Sequence, residues 1–262
     1  MKADAVVQSF EARPVPSLGG FNLMFLYLEM RRMLRNRRTV LLTLALPVIF
    51  VFLFRNAKKL AQAGGPDAAA ITLIGIAVYG AMIAATSGGA MVSVERALGW
   101  SRQLRLTPLQ PAAYVLVKLL TAMALGLVSV AIVFTAGILQ GVHLAPETLV
   151  LSAVLAWGGA IVFAAFGLLM GYLLPSENVM QIIGPVLAVF AFFGGLFVPL
   201  SLLPSALQDI APYMPTYGVA AIARYPLLGG TFDVTWVMST VLWTAAFGAG
   251  AAIMFRRDTS RT

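Results

Sequence analysis

Cysteine is absent from this 262-residue chain, and histidine occurs once, as His143. The absence of cysteine excludes disulfides, thiolate metal sites and cysteine nucleophiles, and one histidine cannot form the usual histidine metal clusters. Charge is also scarce: 11% of the residues are Asp, Glu, Lys or Arg, whereas 60% are hydrophobic. Soluble domains have about 25% charged residues, so this composition excludes an ordinary soluble domain. With a mean hydropathy of +0.90, the chain is expected to have a lipid bilayer as its main solvent.

Ionisable residues are nearly missing from the long apolar stretches. An ion-coupled carrier usually holds Asp, Glu or His near the middle of the bilayer, and these stretches offer none there. The dipeptide Gly-Lys does not occur, which excludes the GxxxxGK[ST] loop that cradles nucleotide phosphates. We therefore predict no catalytic residues, no metal site and no cofactor in this chain. If ATP is the energy source, another polypeptide binds it.

Six apolar stretches approach the length of about 20 residues that a helix needs to cross the hydrocarbon layer. They run approximately from Thr39 to Phe54, Ala70 to Val94, Ala112 to Leu139, Thr148 to Leu174, Val179 to Leu200 and Val234 to Phe255. The first is short and contains Pro47, but Arg38 and Arg55 at its ends can extend to the headgroups. The sequence thus predicts an all-α membrane protein with six transmembrane helices over residues 39–255.

Positive charge is distributed unevenly around these stretches. Six spans put both termini on one side, and 14 of the 18 Lys and Arg residues fall on that side. Cytoplasmic loops carry the excess of Lys and Arg, so residues 1–20 and 256–262 are predicted to be cytosolic tails. Because the basic residues lie in the gaps between apolar stretches, we interpret them as topogenic and expect no nucleic-acid partner. Richness in Ala, Gly and Arg points to a bacterium, and hence to its plasma membrane.

Residues 21–38 have the periodicity of an amphipathic helix. Its polar and apolar positions fall on opposite sides of a helical wheel, Asn22, Glu29, Arg32 and Asn36 against Leu23, Leu26, Met30, Met33 and Leu34. We predict an interfacial helix that lies along the inner leaflet. The alternative is a longer, kinked first span, which would bring the Arg31 to Arg38 cluster into the membrane at about 2.5–3.5 kcal/mol per Arg.

The loop after the second stretch, residues 95–106, can form a short amphipathic helix. It begins at Glu95, is interrupted by Gly99 and stops ahead of Pro108. Trp100 and the leucines could dock in an apolar groove of a cytosolic partner while the arginines meet carboxylates. A basic topogenic loop with an interfacial Trp explains the same residues equally well.

Several segments together resemble the ABC type-2 exporter permeases, the membrane subunits of drug, antibiotic, lipid and polysaccharide exporters. The resemblance runs from about Phe21 to Phe255 and rests on an interfacial helix, then Arg35 to Pro47 (RNRRTVLLTLALP), then Glu95-Arg…Gly99…Leu104…Thr107-Pro108-Leu109, then Lys118. The daunorubicin-resistance branch is nearest. The resemblance implies that six spans form half of a dimer with a second permease subunit. It also implies that an ABC ATPase subunit, which binds ATP and magnesium, docks on the loop after span two, the coupling helix.

The resemblance also implies which residues would transmit ATPase closure to the spans. They are Glu95, Arg96, Gly99, Trp100, Arg102, Leu104 and Arg105. Trp100 departs from the family pattern, because a small residue such as Thr is common there. Lys118, near the start of span three, is expected either to pair with Glu95 and tie the coupling helix to both spans, or to extend to a lipid phosphate.

Two helical faces are candidates for a substrate pathway. Span two carries Thr72, Tyr79, Thr86 and Ser93 at intervals of seven, and span five carries Phe190, Phe193 and Phe197 in register. Either face could instead serve helix packing or contact lipid and a partner subunit. The small residues of span four, among them Gly167 and Gly171, are assigned to helix packing.

Residues 201–230, between spans five and six, are broken by prolines into helices too short to cross a bilayer. Ser205 to Ala211 and Thr216 to Tyr225 can lie only at the outer interface or re-enter it, with their backbone ends buried in protein or facing water. In the resembling family this region forms an extracellular re-entrant gate, and we carry that role over.

The predicted function is that of a permease subunit, not itself an enzyme, that moves hydrophobic or amphipathic substrates outward. Two other classes stay open. A secondary carrier or channel would transport along an ion gradient without an ATPase. A non-transporting scaffold would recruit a cytosolic protein and would tolerate mutations in the polar face of span two.

Overall fold

The computed structural model of the protein describes residues 17–55, 67–99, 110–197, 200 and 203–260. Within these residues every regular element is helical, which confirms the all-α class. Most of the predicted coupling helix, from residue 100 onward, lies outside the described residues. So do residues 1–16 and 261–262 of the predicted tails.

The described helices, in chain order, account for nearly all of the predicted apolar stretches. They are α1 (Leu23–Arg35), α2 (Arg37–Arg55), α3 (Ala68–Ala97), α4 (Pro111–Leu139), α5 (Pro146–Gly159), α6 (Ile161–Leu173), α7 (Val179–Phe193), α8 (Ser205–Ile210), α9 (Pro215–Leu228) and α10 (Val234–Ser260). Short 3-10 turns occupy Ser17–Gly20 and Ala211–Tyr213. Asn36 separates α1 from α2, so Arg37 and Arg38 begin α2 instead of ending the interfacial helix.

Four helical segments are long and apolar enough to cross a membrane: α3, α4, the α5 and α6 pair, and α10. Helices α2 and α7 contain shorter apolar segments. The α5 and α6 pair is interrupted at Ala160, directly after a pair of glycines that weakens the helix there. Trp157, just before this break, donates its indole Nε1–H to the Met123 carbonyl at 2.9 Å and so fixes α5 against α4.

Helix α3 is the centre of the bundle, with α4 and α6 packed along it. Its C-terminus lies beside the N-terminus of α4 and the C-terminus of α6, and α10 reaches the same end through Phe255, whose ring is 5.7 Å from that of Tyr172. We call this the charged end, after the residues described below. The opposite end holds the N-terminus of α3, the C-terminus of α7 and helix α9.

Glycines let α3 and α6 approach until their backbones touch. A Cβ atom at Gly167 would lie 2.2 Å from the Thr86 carbonyl oxygen, and one at Gly89 would lie 2.6 Å from that of Ala164. The Thr86 hydroxyl donates across the contact to the Phe163 carbonyl at 3.2 Å. Small residues and hydroxyl hydrogen bonds are the usual means of helix association in lipid. The assignment of Gly167 and Gly171 to packing is therefore confirmed.

Helix α7 ends at Phe193, seven residues before the predicted end of span five. Gly195 has φ +63°, and the amide N–H of Leu196 donates to the Ala191 carbonyl at 3.0 Å while that of Gly195 donates to Phe192 at 3.0 Å. This is a Schellman motif, which glycine favours because it adopts positive φ without a steric penalty. Gly194 and Gly195 thus terminate the helix. Phe197 lies beyond it instead of continuing the helical register of Phe190 and Phe193.

The segment after α7 contains the two short helices that the prolines predict. Helix α8 and its 3-10 turn, Ala211–Tyr213, cover the first, and α9 extends the second by one residue before Thr216 and by three after Tyr225. Helix α9 packs against α5, α10 and α3. Neither short helix has the length of a membrane span.

Candidate functional site

Two carboxylates and one ammonium group are buried together at the charged end. Lys118 of α4 donates through Nζ to Glu95 Oε1 of α3 at 2.5 Å, and also to Glu29 Oε1 of α1. All three residues are almost inaccessible, with exposed fractions of 3% for Lys118, 2% for Glu95 and 7% for Glu29. A buried charge is stable only when it is paired and hydrogen-bonded. The predicted pairing of Lys118 with Glu95 is therefore present, and a residue of α1 joins it.

Tyr114 and Arg32 complete this group of five, which we call the ion cluster. The Tyr114 hydroxyl donates to Glu95 Oε2 at 2.7 Å, and Lys118 Nζ lies 5.4 Å from the centre of the Tyr114 ring. Arg32 Nη1 lies 3.3 Å from Glu95 Oε1 and 3.6 Å from Glu29 Oε2. Two positive side chains thus balance two negative ones, so the ion cluster has no net charge.

Helix α1 joins the ion cluster through Glu29, which is buried against the bundle, while Asn22 and Asn36 of the same polar face are exposed. Asn22 caps the helix by accepting from the Met24 amide at 2.8 Å, and Glu29 follows two turns later on the inner side. On the outer side Leu23 is 73% exposed and Leu34 is also exposed. The exposed apolar side chains suit contact with lipid at the membrane interface, and the carboxylate of Glu29 is stable in its buried position because it is paired there.

Arg96, next to Glu95 in sequence, links α3 to α6. Its Nη1 donates to the carbonyl oxygens of Gly171 at 3.2 Å and Tyr172 at 2.9 Å, and its guanidinium lies 5.6 Å from the centre of the Tyr172 ring. These carbonyls belong to the last turn of α6, which has no helical partners for them. Adjacent residues of α3 thus hold two different neighbouring helices.

The remaining residues expected to couple to an ATPase lie at or beyond the end of α3. Residues 95–97 continue α3 instead of starting a separate helix. Leu98 is exposed, and Gly99 adopts φ +72° with no atom of the described residues within 4 Å of where its Cβ would lie. Trp100, Arg102, Leu104 and Arg105 lie outside the described residues. Of the predicted set, the structure therefore brings together Glu95 and Lys118, joins Arg96 of α3 to the end of α6 and leaves Gly99 at the turn.

The predicted pathway residues make packing contacts within this chain. Thr72 and Ser93 donate to carbonyls of their own helix, at 2.8 Å each, and Thr86 donates to α6 as described. The Tyr79 ring lies 4.8 Å from that of Phe197 and 5.5 Å from that of Phe50. Phe190 contacts Phe166, and Phe193 contacts Phe192. Their role as a pathway stays a prediction.

Three members of the ion cluster are not among the predicted site residues: Glu29, Arg32 and Tyr114. The signal that could have found them is a lone acidic residue on a basic amphipathic helix, Glu29, set against the lone Lys118 of an apolar span. An intramembrane charge needs a partner, and Glu29 is one of few available.

A cavity of about 250 Å³ adjoins the ion cluster, between α1, α3 and α4. Glu29, Arg32, Glu95 and Lys118 line one part of it. The other walls are mainly apolar or small, and include Met33, Ser87, Gly88, Met91, Val94 and Leu125. The cavity therefore joins a charged wall to an apolar interior.

At the opposite end of the bundle, Arg224 of α9 fixes this short helix to the turn after α7. Its Nη2 donates to the Gly195 carbonyl at 2.8 Å and lies 3.2 Å from that of Leu196. The Thr216 hydroxyl of α9 makes a second contact, to the Phe190 carbonyl at 2.5 Å. The Gly195 and Leu196 carbonyls lie beyond the last residue of α7, whereas the Phe190 carbonyl also accepts from the Gly194 amide at 2.8 Å.

Replacing Arg224 by methionine is expected to loosen α9 selectively. The Gly195 and Leu196 carbonyls lose a charged donor. A hydrogen bond from a charged group contributes about 1.5–3 kcal/mol to stability. We expect faster backbone hydrogen exchange over residues 205–228 and unchanged exchange at the charged end. Arg224→Lys, which keeps one charged donor, should give an intermediate rate. Equal exchange in all three proteins would show that Arg224 does not hold α9.

The family model described as "ABC-2 type transporter" matches residues 23–228, a range that contains the whole ion cluster and α9. The chain is also similar to the protein named "Putative transport permease YvfS" of Bacillus subtilis (strain 168), with 29% identity over 206 residues that cover 78% of this chain and 84% of that relative. These matches and the apolar helices make it a multi-pass membrane protein and a subunit of a transporter. The chain belongs to the ABC-2 type transporter family.

Proposed function

We propose that this protein is the membrane subunit of an exporter that moves hydrophobic or amphipathic molecules, such as drugs, antibiotics or lipid-like compounds, outward across a bacterial plasma membrane. A separate ABC ATPase, which holds ATP and magnesium, docks on residues 95–106. The observation that carries the proposal is the buried ion cluster, because it joins the helix before this loop, the helix after it and the interfacial helix α1.

The ion cluster suits the transmission of force from the loop. Helix α3 ends at Ala97 and α4 begins at Pro111, so a displacement of the residues between them acts on both helices. Lys118 holds Glu95 and Glu29 together, so that α3, α4 and α1 move as one unit. ATP then drives the conformational change only through its different affinities for the two states of the transporter.

The distribution of charge supports the orientation of the protein. The basic residues of α1, the start of α2 and the end of α10 lie at the charged end, whereas Arg224 lies at the opposite end. By the positive-inside rule the charged end is cytosolic, as are both termini. Helices α2 and α7 then complete six spans, and α8 and α9 form a re-entrant gate at the outer face.

A second permease subunit completes the transporter in this proposal. In the most apolar 18-residue stretch of α10, 11% is buried within the described part of the chain. Helices α2 and α7 also expose large apolar side chains, such as Phe52 and Phe192. These surfaces suit contact with lipid and with a second subunit. If the substrate pathway runs between the two subunits, the ring pair of Tyr79 and Phe197 would lie near the outer half of that pathway.

The test is ATP hydrolysis by the permease and its ATPase, purified together and reconstituted in liposomes with candidate hydrophobic drugs. Arg102→Glu reverses a charge in the proposed docking loop at a residue that is not a member of the ion cluster, and we expect roughly tenfold lower drug-stimulated hydrolysis because a charge pair across an interface is lost. Arg261→Glu, the same change near the C-terminus, is the matched control and should stay within about twofold of the unsubstituted protein. If no ATPase associates and Arg102→Glu changes nothing, the docking assignment fails and the carrier and scaffold alternatives move ahead.

A further inference from the structure

One positive charge in the wall of the cavity beside the ion cluster, that of Arg32, can be replaced by the charge of a ligand. Lys118 is buried and lies 2.5 Å from Glu95, whereas the Arg32 side chain is 43% exposed and lies 3.3 Å from the same carboxylate. A long, half-exposed arginine can turn outward and keep its guanidinium in water or among headgroups. When it does so, the remaining buried group of Glu29, Glu95 and Lys118 carries one net negative charge. A single positive charge in the place of Arg32 restores neutrality.

The rest of the cavity suits an apolar body. Met33, Met91 and Leu125 line it together with Val94, and methionine side chains adapt to ligands of varied shape because they are flexible and polarizable. The charged and apolar walls are adjacent, so a ligand must be amphipathic to meet both.

The cavity also lies where amphipathic molecules concentrate. It is bounded by α1, whose outer side exposes Leu23, Met24, Tyr27 and Leu28. A helix with such a face lies at the boundary between headgroups and acyl chains. Organic cations with an apolar body partition to the same depth.

We propose that this cavity is a binding site for an amphipathic organic cation with one positive charge. Its charged group takes the place of the Arg32 guanidinium beside Glu29 and Glu95, and its apolar part lies against Met33, Met91 and Leu125. The occupied site removes one contact between α1 and Glu95, so binding loosens α1 from the bundle. The site belongs to a single subunit and needs no ATPase, so it stands or falls apart from the exporter proposal.

Equilibrium dialysis of radiolabelled probes tests the proposal, with the full chain in nanodiscs of zwitterionic lipid and empty nanodiscs subtracted. The probes are 4-phenylbutyltrimethylammonium, its neutral analogue with carbon in place of the ammonium nitrogen, and 4-phenylbutylsulfonate. We expect saturable binding of the cation, and binding of the other two that is about tenfold weaker or more, because charge complementarity decides which ligand is accepted.

Two substitutions make the test specific to the cavity. Arg32→Gln removes the competing charge, and we expect cation affinity to rise by roughly fivefold to tenfold. Arg35→Gln, the same change at an exposed position of α1 that does not line the cavity, should leave it unchanged. Met91→Trp fills the apolar part and should abolish saturable binding of the cation.

The sign of the Arg32→Gln effect decides between ligand chemistries. Tighter binding of the cation supports the proposal. Unchanged or weaker binding overturns it, as does preferential binding of the sulfonate, which would assign the cavity to an anionic lipid held by Arg32. If Arg32→Gln does not fold, the comparison of cation and neutral probe on the unsubstituted protein and on Met91→Trp decides instead, and equal binding of the two probes overturns the proposal.

Discussion

Lys118→Met is expected to destabilise the protein by about 3–5 kcal/mol, the range for breaking a buried ion pair by removal of one partner. The substitution keeps the volume of the side chain but leaves Glu29 and Glu95 buried, and among the described residues of the ion cluster the one positive charge that remains is that of the half-exposed Arg32. An uncompensated buried carboxylate is far more costly than the loss of one hydrogen bond. The measurement is thermal unfolding of the purified protein in detergent, followed by size-exclusion chromatography.

A second substitution should restore much of this loss. Lys118→Met combined with Glu95→Gln removes one charge of each sign, and the remaining Glu29 still has Arg32 within 3.6 Å. The double variant should therefore be more stable than Lys118→Met alone, although it carries one more substitution. Additive losses would mean that Lys118 and Glu95 are not coupled, because independent sites add and coupled sites do not.

Gly167→Ala should destabilise the protein by forcing α3 and α6 apart. The new Cβ would lie 2.2 Å from the Thr86 carbonyl oxygen and 2.8 Å from its Cα atom. Both are backbone atoms of α3, so no side chain can turn aside and the two helices must separate. We expect a loss of about 3 kcal/mol, at the upper end for overpacking, seen as a lower unfolding temperature and a smaller monodisperse fraction.

Gly248→Ala on α10 is the matched control, because a Cβ there would meet no atom of the described part of the chain within 4 Å. The same chemical change should be neutral or stabilising by about 0.5–1 kcal/mol, since alanine favours a helix over glycine. If Gly167→Ala and Gly248→Ala behave alike, the close contact of α3 and α6 is not present in the protein.

Composition and periodicity were sufficient for the coarse features of the fold. Apolar runs of about 20 residues favour helices in a bilayer, because a helix satisfies its backbone hydrogen bonds within one segment of chain. Proline and glycine positions similarly predicted short helices after α7. The pairing of Glu95 with Lys118 could be predicted in the same way. Both charges are near the same membrane face, and a charge in the membrane needs a partner of opposite sign.

The partners across the bundle depended on tertiary structure. A helical wheel shows that Glu29 and Leu23 lie on opposite sides of α1. At a membrane interface, however, either side could contact headgroups, acyl chains or protein. Only packing against α3 and α4 decided that Glu29 points inward. The end of α7 likewise depends on Gly195. Glycine can adopt either sign of φ, and the folded chain holds this residue at φ +63°.

The sequence by itself determined the membrane class of this protein, its helices and the charges that had to be paired, because burial in lipid penalises every unsatisfied polar group locally. The tertiary structure decided which groups satisfy one another. It brought Arg32, Tyr114 and Glu29 to the pair of Glu95 and Lys118 and turned Thr86 toward α6. It also left a cavity beside the ion cluster, since contacts between residues far apart in the chain depend on the packing of whole helices and not on the spacing of residues within one.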